Sequence, residues 1–104
     1  SENFPPYIGQ AEPLIENIKA LNRLKKENNA YIVLTTSRKE KYRDVTIKEM
    51  KKNKVIFDDL IMGLPHSKRI LINDFSNSNS YPTSDSINIK RDEDNLQEYL
   101  KNQF

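Results

Sequence analysis

The stretch "YIVLTTSR", residues 31–38, constrains the fold more than any other in the chain: an unbroken apolar run stops at two threonines, a serine and an arginine. Continuous rather than alternating apolarity, centred on Tyr31 to Thr35, is the mark of a strand buried on both faces, as strands of parallel sheets are. A helix precedes it. In "EPLIENIKALNRLKKENN", Leu14, Ile15, Ile18, Leu21 and Leu24 recur at helical spacing, and Pro13 suits the first turn. A second helix is expected over about 40–53, burying Tyr42, Val45, Thr46 and Met50.

Beyond that helix the pattern predicts short strands near Leu60 to Met62, at Arg69 to Asn73 ("RILIN") and at "INI" (87–89). A closing helix follows in "DEDNLQEYLKNQF", burying Leu96, Tyr99 or Leu100, and Phe104. The polar loop "DFSNSNSYPTSDS" is long enough to be mobile or substrate-facing. Residues 1–11 read as an irregular lead-in, because Pro5 and Pro6 oppose a helix and no alternation suggests a strand. Helix, strand, helix, strand, strand, strand, helix, with no repeat and no linker, describes a single α/β domain over 1–104. Its expected architecture is layered, a mostly parallel sheet with flanking helices. In such folds ligands bind at the carboxyl ends of the strands. The residues there are Thr35, Thr36, Ser37 and Arg38 after one strand, and Asn73 and Asp74 after another.

Composition excludes several classes. The longest apolar runs are a few residues, far short of the roughly 20 that a membrane-spanning helix needs. The amino-terminal "SENFPPYIGQ" has neither the basic start nor the apolar stretch of a signal peptide. Zero cysteines leave no disulfide framework and no thiolate metal site, which fits a cytoplasmic setting. Seventeen basic and 15 acidic residues are interspersed to a net charge of +2, and the aromatics sit at core spacings, so nucleic acid is not an expected partner.

An apolar strand ending Thr-Ser-Arg, followed about 35 residues on by one ending Asn-Asp, resembles the haloacid dehalogenase-like (HAD-like) superfamily of phosphatases and phosphotransferases. The resemblance runs from the helix before "YIVLTTSR" through "KRILINDF" to "INIKRDEDNL". It implies a Rossmannoid fold and hydrolysis of a small phosphorylated metabolite with Mg2+. It implies that Thr36 holds a phosphoryl oxygen, with Ser37 and Arg38 at the substrate rim. A basic residue would neutralise phosphate, with Lys68 and Arg69 the candidates by order, and Asp74 with Asn73 would bind the metal. Such chemistry needs preplaced donors and a cation around the transferring group. Thr36 is a compact donor and Asp74 a hard oxygen ligand. Six residues of extended strand put Lys68 roughly 20 Å from Asp74, so it joins the site only by reaching around from the connector. Where relatives show "GKP", this chain has Gly63, Leu64 and Pro65, without the lysine.

The family's Asp-x-Asp nucleophile motif has no counterpart before the first helix, since "SENFPPYIGQAEP" contains no aspartate. The expectation is therefore a HAD-like domain or fragment incomplete at its N-terminus and inactive as it stands. Its sheet would be completed by a missing segment or a second chain. The alternative is a noncatalytic HAD-like binding or interaction domain. Among the remaining polar residues, His66 is expected as a solvated loop residue, Asp58 and Asp59 as exposed turn acids, and the many lysines as solvated helix faces.

Overall fold

The computed structural model describes residues 13–78 and 82–103; the expected lead-in at 1–11 and the burial of Phe104 lie outside them. Helix α1 (Ile15–Asn28) runs into strand β1 (Val33–Thr35). A 3-10 turn (Glu40–Tyr42) leads into α2 (Arg43–Lys52), then come β2 (Asp59–Ile61) and a short α3 (Leu96–Leu100). β1 and β2 pair in parallel, Val33 opposite Asp59, Leu34 opposite Leu60 and Thr35 opposite Ile61. The molecule is thus mixed α/β, a two-stranded parallel sheet with helices. The expected helices are present, the second with a 3-10 entry, and β2 begins one residue earlier than its apolar residues suggest.

Helix α1 ends where Asn29 adopts a left-handed conformation, φ 53°, which asparagine tolerates better than most residues, and the Ala30 N–H reaches back to Leu24 O at 3.3 Å. One face of the sheet is covered. Ile32, Leu60 and Met62 are buried there, and Ala20, with no exposed surface at all, completes the core. Helix α2 contributes Thr46, only 1% exposed and the largest fully buried side chain among the described residues.

The segment that returns from α2 to β2 is clamped to α1 by side chains. Asn22 donates its amide to Lys54 O at 2.9 Å and accepts the Ile56 N–H at 3.1 Å. Lys25 donates to both carboxylate oxygens of Asp58 at 2.7 and 2.8 Å. Asp58 also accepts the Ile32 N–H at 2.7 Å, fixing the entry to β1. This carboxylate is therefore a latch across three elements, a role that its expected place as an exposed turn acid does not include. Arg43 donates to Glu40 and, at 3.2 Å, to Leu60 O, so the start of α2 is pinned to β2.

Residues 69–73 correct the expected topology. "RILIN" is not a strand, and Ile70, Leu71 and Ile72 are 75, 73 and 91% exposed. The expectation of a strand there, parallel to β1 and opening on the same sheet edge, does not hold. Apolar composition makes a strand only where a neighbouring edge accepts its backbone groups, and this run is paired with neither strand of the described sheet. "INI" at 87–89 is likewise no strand.

Candidate functional site at the carboxyl end of β1

The turn after β1 is built largely from its own hydroxyls and from the chain that leaves β2. Thr36 donates its N–H to Ile61 O at 3.0 Å, extending the ladder by one bond, and its carbonyl accepts the Leu64 N–H at 3.1 Å. Its Oγ1 accepts the Arg38 N–H at 3.1 Å, the two-residue turn that serine and threonine favour. Gly63 donates to Arg38 O at 2.7 Å from a left-handed φ of 76°, where a side chain is strained. The two strand ends are thereby tied together and open on the same edge.

Arg38 turns inward. Its guanidinium donates to Thr46 Oγ1 at 3.3 Å and to Glu49 Oε1 at 3.4 Å, and the two charged side chains are 19 and 14% exposed. Glu49 Oε2 is buried without a hydrogen-bond partner. The arginine that ends "TTSR" thus carries a structural bond to the inner face of α2, which explains a guanidinium at the end of this strand; the expected burial of β1 on both faces does not hold, since Val33 and Thr35 are exposed.

Ser37 faces outward to the connector. Its Oγ donates to Pro65 O at 3.5 Å and accepts from the Arg69 guanidinium at 3.4 Å. Arg69, rather than its neighbour Lys68, is the basic residue brought to the strand end. Lys68 is exposed on the same connector. Both bonds are long, so the hydroxyl and guanidinium are held only loosely by one another and remain available to an anion.

Asn73 and Asp74 lie on the exposed arm beyond. Asn73 donates its amide to Thr83 Oγ1 at 2.9 Å, tying the arm to the start of the 82–103 stretch. Neither residue is hydrogen-bonded to Thr36 or Ser37, so no hydrogen bond joins the two expected halves of the site. No group of three or more His, Cys, Asp or Glu that could hold a metal is present among the described residues. Asn73 spends its amide nitrogen on Thr83 and keeps its oxygen, so this pair offers an ion one carboxylate and one amide oxygen, with water and phosphate oxygens left to complete an octahedron.

Two aspartates do have the Asp-x-Asp spacing, Asp92 and Asp94, but they follow a turn rather than a strand. Asp94 is fully occupied elsewhere. Its Oδ2 and Oδ1 accept the N–H groups of Glu16 and Asn17 at 3.1 and 2.7 Å, closing the N-terminus of α1. Asn17 answers by donating to Glu93 O at 2.8 Å and accepting the Leu96 N–H at 2.9 Å. Sequence reasoning missed this reciprocal cap. Its signal was faint: an asparagine in the first turn of one helix and an acid two residues before another.

A second concavity, of about 410 Å³, opens between α1, α2 and the sheet, lined by Leu14, Ile18, Leu21, Leu34, Met50 and Val55 among others. Thr35, Thr36 and Arg38 form part of its wall, so it reaches the carboxyl end of β1. No helix among the described residues is long and apolar enough to cross a membrane. No family model, curated protein or solved structure matches the chain.

Proposed function

We propose that the chain is a HAD-like core that recognises the phosphoryl group of a small metabolite at the carboxyl end of β1, and that it does not hydrolyse it unaided. The observation that carries this reading is the Arg69 guanidinium resting on Ser37 Oγ at 3.4 Å, beside the turn of Thr36, at the end of a parallel strand. A guanidinium and a hydroxyl at that edge form a fork suited to a phosphate oxygen. The β1–α2–β2 unit, with parallel strands joined through a helix, is the local architecture on which the layered Rossmannoid expectation rests. Hydrolysis requires an atom placed to attack phosphorus, and none of the described aspartates is hydrogen-bonded to Thr36, Ser37 or Arg69. Magnesium would take the Asp74 carboxylate and the Asn73 oxygen, and no step is assigned to it.

The test is titration of the chain with inorganic phosphate and a sugar phosphate, followed by amide shifts in a 15N spectrum, alongside a phosphomonoester assay with magnesium. Shifts at Ser37, Arg38 and Arg69 that disappear in Arg69→Ala, without turnover, support the proposal. Absence of any shift at millimolar ligand sinks it. Turnover that survives purification and is lost in Asp74→Ala would show that a nucleophile has been overlooked.

A noncatalytic interaction domain on the same HAD-like framework is the second reading. It is favoured by the three consecutive exposed apolar residues Ile70, Leu71 and Ile72.

A further inference from the structure

Among the described residues the sheet has two strands and therefore two edges. In the ladder, the Asp59 N–H goes to Ile32 O at 3.2 Å and the Thr36 N–H to Ile61 O at 3.0 Å. The Ile32 N–H is taken by Asp58 on the same side. Backbone groups alternate sides along a strand, so those of residues 32, 34 and 36 face β2, while those of Val33 and Thr35 face the other way. Among the described residues no strand pairs with that outer edge. An isolated two-stranded sheet is marginal in water, and an unpaired edge is a template for another strand.

The same chain carries a strand without a sheet. Ile70, Leu71 and Ile72 are consecutive, apolar on both faces and exposed, the pattern of a segment made to be buried on both sides. Residue 69 stands at the carboxyl end of β1, held by Ser37. A parallel neighbour of β1 within one chain needs a crossover of a dozen or more residues, and only residues 62–69 separate β2 from this run; nor does the run return antiparallel along β1, since it belongs to no strand and stays exposed.

We infer that two copies of this chain pair through a two-fold axis, the 70–72 segment of each adding as a strand to the outer edge of β1 in the other. One operation then meets both demands, since a two-fold interface presents each copy's edge to the other's strand. Exposed apolar surface agrees with this occupant. Tyr31, Val33, Ile70, Leu71, Ile72 and Phe75 are all exposed, from 43% at Val33 to 91% at Ile72, and a standard interface draws roughly 800 Å² from each partner. The proposal does not depend on phosphate recognition.

Sedimentation of the 104-residue chain at about 100 µM, a hundredfold above a micromolar Kd, tests it together with amide hydrogen exchange. The expected result is a species of twice 12.2 kDa with slowed exchange at the Val33 and Thr35 amides. Leu71→Lys and Ile72→Lys, both at exposed positions, should weaken association at least tenfold and release those amides, with the far-ultraviolet spectrum unchanged. Val33→Pro, which removes an outward N–H, should do the same. A monomer with slowed Val33 and Thr35 amides would give the edge to another segment of the same chain and overturn pairing between copies. A monomer with fast amides, a dimer indifferent to all three variants, or open-ended aggregates would each overturn it as well.

Discussion

Asp94 caps Asn17 across 77 residues of sequence, its Oδ1 accepting the Asn17 N–H at 2.7 Å while Asn17 Oδ1 accepts the Leu96 N–H at 2.9 Å. Two helices far apart in the chain thus satisfy each other's first turn. Leu14, at the cap position of α1, has no side chain that could do this. Asp94→Ala should cost about 1 kcal/mol, the usual value of an N-cap, and Asn17→Ala a similar amount. Because the two belong to one network, the double variant should lose less than the sum, as a double-mutant cycle by urea denaturation would report. Strict additivity would show the two bonds to be independent.

The Asp58 latch gives a pH dependence of known sign. Hydrogen bonds from Lys25, first, and from the Ile32 N–H hold the Asp58 carboxyl below the usual aspartate value of 3.8. Unfolded chains therefore bind its proton more readily than the folded one. The stabilisation is fully present above pH 3.8 and is lost as pH falls through the lower folded value. Thermal melts between pH 6 and about pH 2 should fall more steeply for the parent than for Asp58→Asn in the acid limb. Parallel curves would remove the latch from the account.

Gly63 should resist replacement for backbone reasons alone. A Cβ built there meets nothing within 4 Å, yet φ is +76°. Gly63→Ala is expected to cost roughly 1 kcal/mol and Gly63→Asn less, since asparagine tolerates the left-handed region. Calorimetric Tm values in the order Gly, Asn, Ala would bear this out. Alanine equal to glycine would mean that the turn relaxes freely.

Arg38 is expected to act on stability more than on anion recognition. Removing it leaves Glu49 charged with 14% of its side chain exposed, and Arg38→Ala should cost about 2 kcal/mol, reduced from a fully buried pair by partial solvation. Glu49→Gln, which also answers the unpartnered Oε2, should be milder. If Arg38→Ala instead left the denaturation midpoint in place and abolished phosphate shifts, the guanidinium would belong to the ligand.

The covered half of the fold was legible because its signals are local. The periodic apolar residues of α1, the existence of β1 and the span of α2 need only propensity and spacing to be read, whereas the two-sided burial expected of Tyr31 to Thr35 fails at Tyr31 and Val33. Of the candidate residues, Thr36 and Ser37 do follow β1 as the apolar pattern indicates, and Arg69 donates to Ser37 Oγ there. "RILIN" failed as a strand because the same letters describe a buried strand and an exposed run; the difference is a neighbour, which local pattern does not encode. Arg38 illustrates a second limit. Nothing in "TTSR" says that its guanidinium reaches back to Thr46 and Glu49, eight and eleven residues on, rather than out to solvent.

The clamps differ in reach, and this sets an order of assembly. Asn22 to Lys54, Lys25 to Asp58 and Asp58 to Ile32 span 32, 33 and 26 residues. Asp94 to Asn17 spans 77. Closing a shorter loop costs less entropy, so the 15–62 unit is the earlier to form and the 93–103 arm docks onto a finished helix end. The arm is fastened by polar bonds to the first turn of α1 and by α3 lying beside Ala20 and Leu24, and its release need not disturb Leu60 or Thr46. In native-state exchange it should open as a separate cooperative unit, leaving α1 frayed at its first turn while the rest of that helix stays closed.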